Sequence, residues 1–323
     1  MGNLFHPAKV LCFIVLLISV PLQAKLIDYQ KQPSLRGEIN SVGSDTLSTL
    51  MDEWVSEFTR LYPRVNIQVQ ASGSSTAVPA LTEGTARFGP MSRPMRDSEI
   101  DAFKHAHGYP PIQLKVAIDA VAVYVNSRNP IDALTIGEID AIFSATRRCG
   151  LPQSIRKWEQ LGVSEDWSQR TIQSLGRNSV SGTYAQFKDL ALCQGDFHRQ
   201  VNEMPGSASV VESVGRDISA IGYSGAGYET SSTKIIGVIG FDNQVTYPIY
   251  QDIVGDRYPL SRYLYLYINK APNIPMQAAE REFLKYIFST EGQAIVEKVG
   301  YIAVSPEVAE SELSNISSAS LGE

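Results

Sequence analysis

Residues 38–83 read EINSVGSDTLSTLMDEWVSEFTRLYPRVNIQVQASGSSTAVPALTE. Glu38–Val42 forms a short strand that runs into Gly43, Ser44, Asp45 and Thr46. Leu47, Leu50, Met51, Trp54, Val55, Phe58 and Leu61 then recur at the spacing of one apolar helix face. Val65, Ile67 and Val69 alternate with Asn66, Gln68 and Gln70, the period of a half-buried strand. A Gly/Ser turn over Ala71–Thr76 leads to a helix predicted over Ala77–Glu83. Strand, turn and helix, twice over, are the pattern of a mostly parallel α/β sheet, whose ligands bind at the turns following the strands.

The pattern continues outward. A short strand, Arg87–Gly89, ends in Pro90, Met91, Ser92 and Arg93 before an acidic helix over Asp97–His105. Leu114–Asn126 and Leu260–Asn269 are long apolar runs, and we read them as paired hinge strands crossing between two lobes. On that reading residues 25–117 and 262–323 build lobe I, and residues 118–261 build lobe II. The alternative is two core strands of consecutive domains, which the same pattern permits. The tail after Ser305, rich in Ser and Glu, reads as polar and frayed.

The chain has 323 residues, 43% of them hydrophobic, enough for two buried cores. Its formal net charge of -6 argues against a general nucleic-acid or anionic-lipid surface, so an anion ligand would need local donors. Lys9 precedes the apolar run Val10–Val20, with Pro21 and Ala24 behind it: a signal peptide over residues 1–24, cleaved after Ala24, with a periplasmic or secreted product. Cys12 lies inside that run, so a lipid anchor is not expected. Cys149 and Cys193 remain, and in an oxidising compartment they read as a disulfide, since neither has metal or redox spacing. No metal or cofactor is expected.

Four turns place small hydroxyl or glycine residues ahead of predicted helices: Gly43-Ser44-Asp45-Thr46, Ser72-Gly73-Ser74-Ser75-Thr76, Met91-Ser92-Arg93, and Arg177 to Thr183. Helix N-termini expose unpaired N–H groups, and Ser and Thr add donors, so converging turns of this kind hold tetrahedral oxyanions. Arg93 and Arg177 add forked, charged donors. Taken singly, each turn reads equally as helix capping.

Arg177 followed by Ser181-Gly182-Thr183, Gly73-Ser74-Ser75, Phe88-Gly89-Pro90-Met91-Ser92 and Gly43-Ser44-Asp45-Thr46-Leu47 together carry a resemblance. From about Gly37 to Val304 the chain resembles the periplasmic phosphate-binding proteins of high-affinity phosphate ABC importers, of the type II periplasmic-binding-protein family. The resemblance implies a two-lobed α/β fold and capture of inorganic phosphate for a membrane permease by a monomer. It implies ligand roles for Ser74, Ser75, Ser92, Arg93, Arg177, Ser181, Gly182 and Thr183, and for Ser44, Asp45 and Thr46 in the first turn. There either Asp45-Thr46 or Thr46-Leu47 is the contacting pair. One departure stands out: the family's third turn supplies an Asp that accepts the phosphate proton, and here Ser92 occupies that place. A hydroxyl both accepts and donates, so sulfate is expected to be excluded less well. Asp45 and Asp119 are the carboxylates that could restore discrimination. Phosphate sensing, adhesion, or binding of sulfate are the competing roles.

Enzymatic readings find little support. His105, His107 and His198 sit in no metal spacing, and His105 and His107 read as solvated. Gly222-Tyr223-Ser224-Gly225-Ala226 has Ala where a nucleophile elbow has its second Gly, and reads as a strand end. The cluster Tyr258, Tyr263, Tyr265 and Tyr267 follows strand spacing and reads as core or hinge packing, not as a sugar-stacking platform.

Overall fold

The computed structural model describes residue 2, residues 25–163, residue 167 and residues 169–318; the expected leader otherwise lies outside the described residues. β1 (Gly37–Val42) leads to α1 (Ser48–Leu61), and β2 (Val65–Gln70) to α2 (Ser74–Thr82), which starts three residues before its apolar spacing predicts. Helix α1 turns Leu50, Met51, Trp54 and Phe58 inward, and each such Leu, Met or Phe stabilises the fold by about 1.5–3 kcal/mol relative to exposure. Next come β3 (Phe88–Met91), α3 (Asp97–His107) and β4 (Ile112–Asn126). The chain continues through β5 (Ala133–Thr135), α4 (Ile136–Phe143), β6 (Gln173–Arg177), α5 (Gly182–Ala191), β7 (Asn202–Met204), α6 (Ser207–Arg216) and β8 (Ala220–Gly225). It closes with β9 (Thr233–Ile239), β10 (Val245–Thr246), a short α7 (Tyr250–Val254), β11 (Ser261–Ile268), α8 (Ala278–Ile287), α9 (Thr290–Lys298) and α10 (Pro306–Ser318).

The strand order is β2-β1-β3-β11-β4-β8-β6-β7, with β9 also on β4 and flanked by β5 and β10. Strand β4 joins the halves. Its residues Ile112–Ala120 pair with β11, whereas Val121–Asn126 pair with β8 and β9. Strands β1, β2 and β3 are parallel to one another, as are β6, β7 and β8. The long crossings run antiparallel to their neighbours, because they carry the chain in opposite directions between the halves, and the sheet is therefore mixed.

The apolar cores divide accordingly. Trp54, Phe58, Phe88, Val116, Leu264 and Phe283 belong to one; Val121, Val123, Phe143, Trp158, Phe187 and Tyr223 belong to another. Beyond Ala120, β4 is buried on both faces, which is why its sequence is continuously apolar and not alternating. Cys149 and Cys193 form a disulfide tying the segment after α4 to the end of α5, worth about 2–4 kcal/mol for a loop of this kind.

Two readings of the sequence need correction. The tail is not frayed over residues 306–318: α10 buries Ala309 and Ile316 against the first core, with Val308 and Leu313 packed beside them, an apolar stripe sparse enough to be masked by Ser and Glu. His107 is half-buried, its Nε2 facing the Thr82 carbonyl at 2.9 Å, because α3 lies against α2; His105 is exposed. The Gly222–Ala226 segment ends β8 and enters a 3-10 turn over Ala226–Tyr228.

Candidate oxyanion site

The turns after β1, β2 and β3 meet because their backbones are stitched together. Ser44 N donates to the Pro90 carbonyl at 2.7 Å, and Gly73 N donates to the Gly43 carbonyl at 2.8 Å. Gly43 lies so close to Pro90 that a Cβ would strike its carbonyl oxygen. This brings three buried serines together: Ser44 Oγ donates to Ser92 Oγ at 3.1 Å, Ser74 Oγ lies 3.2 Å from Ser92 Oγ, and Ser92 N donates to Ser74 Oγ at 3.0 Å.

The other half approaches through the turn between β6 and α5. Thr183 Oγ1 is 2.9 Å from Thr46 Oγ1, and a Cβ on Gly182 would collide with Ser74 Oγ and Ser92 Oγ. Only glycine lets the start of α5 come so near the serine cluster. Gly73 has φ of +115°, and Val180 crowds it from the opposite turn, whose carbonyl accepts from Ser75 N at 3.1 Å.

Capping explains only part of these turns. Ser181 Oγ does cap α5, accepting from Thr183 N at 3.1 Å. No side-chain hydrogen bond caps α1 or α2, so Ser44, Asp45, Thr46 and Ser74 serve something other than their own helix starts. Asp45 reaches across instead: its Oδ2 accepts from Ser207 N, the first residue of α6, at 2.8 Å and pairs with Arg177 Nη1 at 3.0 Å. The Thr46 carbonyl in turn accepts from the Tyr228 and Tyr301 hydroxyls at 3.1 and 2.6 Å.

Arg177 is 1% exposed. Besides Asp45 it donates to Ser207 Oγ at 2.6 Å and to the Pro205 carbonyl at 3.1 Å, while its Nε has no hydrogen-bond partner among the described residues. Burial lowers its pKa, and Asp45 opposes that by favouring the charge. Arg93 is buried as well, but Glu99 grips it bidentately, with both Nη–Oε distances 2.7 Å; it also donates through Nη1 to the Pro94 carbonyl at 2.9 Å and through Nη2 to Ser75 Oγ at 3.3 Å. It is thus bound within its own half.

One arginine has no place among the residues that the turn motifs identify. Arg262, the second residue of β11, lies directly opposite Asp119 on β4, donating to Asp119 Oδ2 through Nε at 3.0 Å and Nη2 at 2.6 Å. It also donates to the Ser92 carbonyl and to Thr183 Oγ1, each at 3.1 Å, touching both halves of the hydroxyl cluster. Burial raises the Asp119 pKa and the Arg262 charge opposes it. A signal for Arg262 was present: it shares a strand face with Leu264 and Leu266, where a charge needs a buried partner.

Residues 30–291 match the PBP superfamily domain. The phosphate-binding protein PstS of Pseudomonas aeruginosa is 51% identical over 298 residues, 90% of each chain. Among solved structures, a Clostridium perfringens protein with bound phosphate superposes with a TM-score of 0.70 at 23% identity, covering 83% of this chain and 100% of that one. An ABC-type phosphate transport receptor from Vibrio cholerae gives 0.64 at 21% identity, covering 82% and 100%. These two likenesses speak to the fold, that of a two-lobed periplasmic binding protein. With the sequence match to the P. aeruginosa protein, the chain belongs to the PstS family of phosphate-binding proteins within the PBP superfamily.

Proposed function

We propose that this protein captures inorganic phosphate between its lobes, outside the cytoplasm, and delivers it to the membrane permease of an ABC importer. The observation that carries the reading is the convergence of buried Ser44, Thr46, Ser74 and Ser92 from one half with Arg177, Gly182 and Thr183 from the other. A dense set of hydroxyls and helix N-termini suits a tetrahedral oxyanion, and each charge-assisted hydrogen bond in a dry cleft contributes about 1.5–3 kcal/mol. Ser181, Ser75, Asp45 and Arg93 support this set, as cap, bridge to Val180, inter-lobe link and internal pair respectively.

The lobes divide at 117/118 and 261/262 in this reading, supported by Ala117 and Leu264 joining one core while Ala120 and Leu260 join the other. Opening and closing about β4 and β11 then links occupancy to permease docking. The protein binds its ligand as a monomer and does not transform it: His198, turned to the Ile142 carbonyl, offers the hydroxyls no general base. Export of a leader ending at Ala24 agrees with the disulfide.

Calorimetry on the secreted, leader-cleaved protein tests the reading. Phosphate is expected to bind at micromolar or tighter affinity, with sulfate competing measurably because Ser92 stands where the family carries an Asp. Clear sulfate binding with no phosphate heat would overturn it.

A further inference from the structure

We propose that Arg262, anchored by Asp119 on the opposite crossing strand, is a positioning residue that makes the site prefer a dianion. The inference rests on the phosphate reading above. It starts from hydroxyl chemistry: Thr183 Oγ1 has one proton to donate, and Arg262 Nη2 donates into its acceptor side at 3.1 Å. The Thr183 proton is therefore directed outward, towards Thr46 or an anion. Ser74 is polarised the same way, because Ser92 N donates into its oxygen at 3.0 Å. Arg262 also holds the Ser92 carbonyl at 3.1 Å, fixing the turn that presents Ser92 Oγ. One guanidinium thus turns the Thr183 proton, not its lone pair, towards the cleft from one lobe and fixes the Ser92 turn in the other, and does so from the strands about which the lobes move.

The charged and titratable groups around Arg262 are few. Asp119 faces it from β4, Arg177 from the end of β6 with Asp45 beside that arginine, and Tyr301 from the segment after α9. Tyr124, Tyr228 and Tyr258 face Asp119, and burial pushes all four tyrosines up, so they stay neutral while phosphate loses its second proton. Asp119 is the carboxyl that compensates Arg262, and its Oδ1 has no hydrogen-bond partner among the described residues.

The test is phosphate affinity at one pH below and one above the second ionisation of phosphate, in the leader-cleaved wild type and in Arg262→Gln, Arg262→Lys and Asp119→Asn. Wild type is expected to bind more tightly at the higher pH. Arg262→Gln should lose about 10- to 100-fold there and clearly less at the lower pH, flattening the profile, with Arg262→Lys recovering part of the loss. Asp119→Asn keeps an acceptor for the guanidinium but removes its counter-charge, and should steepen the profile. Equal losses at both pH values, or Gln and Asn variants that weaken binding in parallel, would show a merely structural pair and overturn the inference. If Arg262→Gln fails to fold by circular dichroism, Asp119→Asn decides alone, a wild-type profile counting against. A wild type that binds no phosphate sinks the functional reading instead.

Discussion

Arg93 and Arg177 have the same side chain, are 3% and 1% exposed, and each meets a carboxylate, yet they do different work. Arg93 pairs with Glu99, six residues on in the same lobe, and its two Nη groups find all their partners there, in that carboxylate, the Pro94 carbonyl and Ser75 Oγ. Arg177 pairs with Asp45, 132 positions away in the chain and in the other lobe, and anchors the turn that delivers Ser181, Gly182 and Thr183. What distinguishes them is whether the counter-charge is local. A local pair stiffens one lobe, whereas a pair between lobes depends on the lobes being together.

The largest expected effect comes from removing the inter-lobe member. Arg177→Ala should weaken phosphate binding by about 3 kcal/mol or more, roughly 100-fold, because it strands Asp45 and takes away a buried charged donor. Unchanged affinity in calorimetry would break the contrast by showing that the pocket lies elsewhere. Gly182→Ala should cost less, about tenfold, through the collision of the new methyl with Ser74 and Ser92. An affinity equal to wild type there would mean that the Gly182 turn does not need to close tightly on Ser74 and Ser92 for binding.

The smallest effect on binding sharpens the contrast from the other side. Arg93→Ala should shift phosphate affinity less than about threefold while lowering stability by about 1–3 kcal/mol. Burial raises the Glu99 pKa, but the Arg93 and Arg96 hydrogen bonds outweigh it and the net shift is downward. A depressed carboxylate contributes stability that is present above its unfolded pKa and lost as pH falls through the folded one. The melting-temperature gap between wild type and Arg93→Ala should accordingly narrow on acidification, and a gap that widened would contradict the pairing.

The sequence carried the alternation over residues 38–83, the two apolar crossings and the hydroxyl-rich turns, because each is written in local period or composition. It also carried the Cys149–Cys193 pair, once the leader pointed to an oxidising compartment. Helix α10 was hidden because its buried positions are few and widely spaced. Asp45 looked like a cap for α1, and it caps a helix start, but that of α6 in the other lobe.

Residues 38–83 therefore determined the class of fold alone, through steric and hydrophobic periodicities that act over a few residues. Which hydroxyls meet, why Arg177 and not Arg93 bridges the lobes, and that Arg262 stands behind Thr183 were decided only by the tertiary structure. The hydroxyls meet through backbone bonds between turns far apart in the chain, Arg177 finds Asp45 132 positions away, and the pairing of β4 with β11 sets Asp119 opposite Arg262 although 143 positions separate them. Hydrogen bonds are satisfied at about 3 Å in space, and no local pattern encodes a partner that far along the chain.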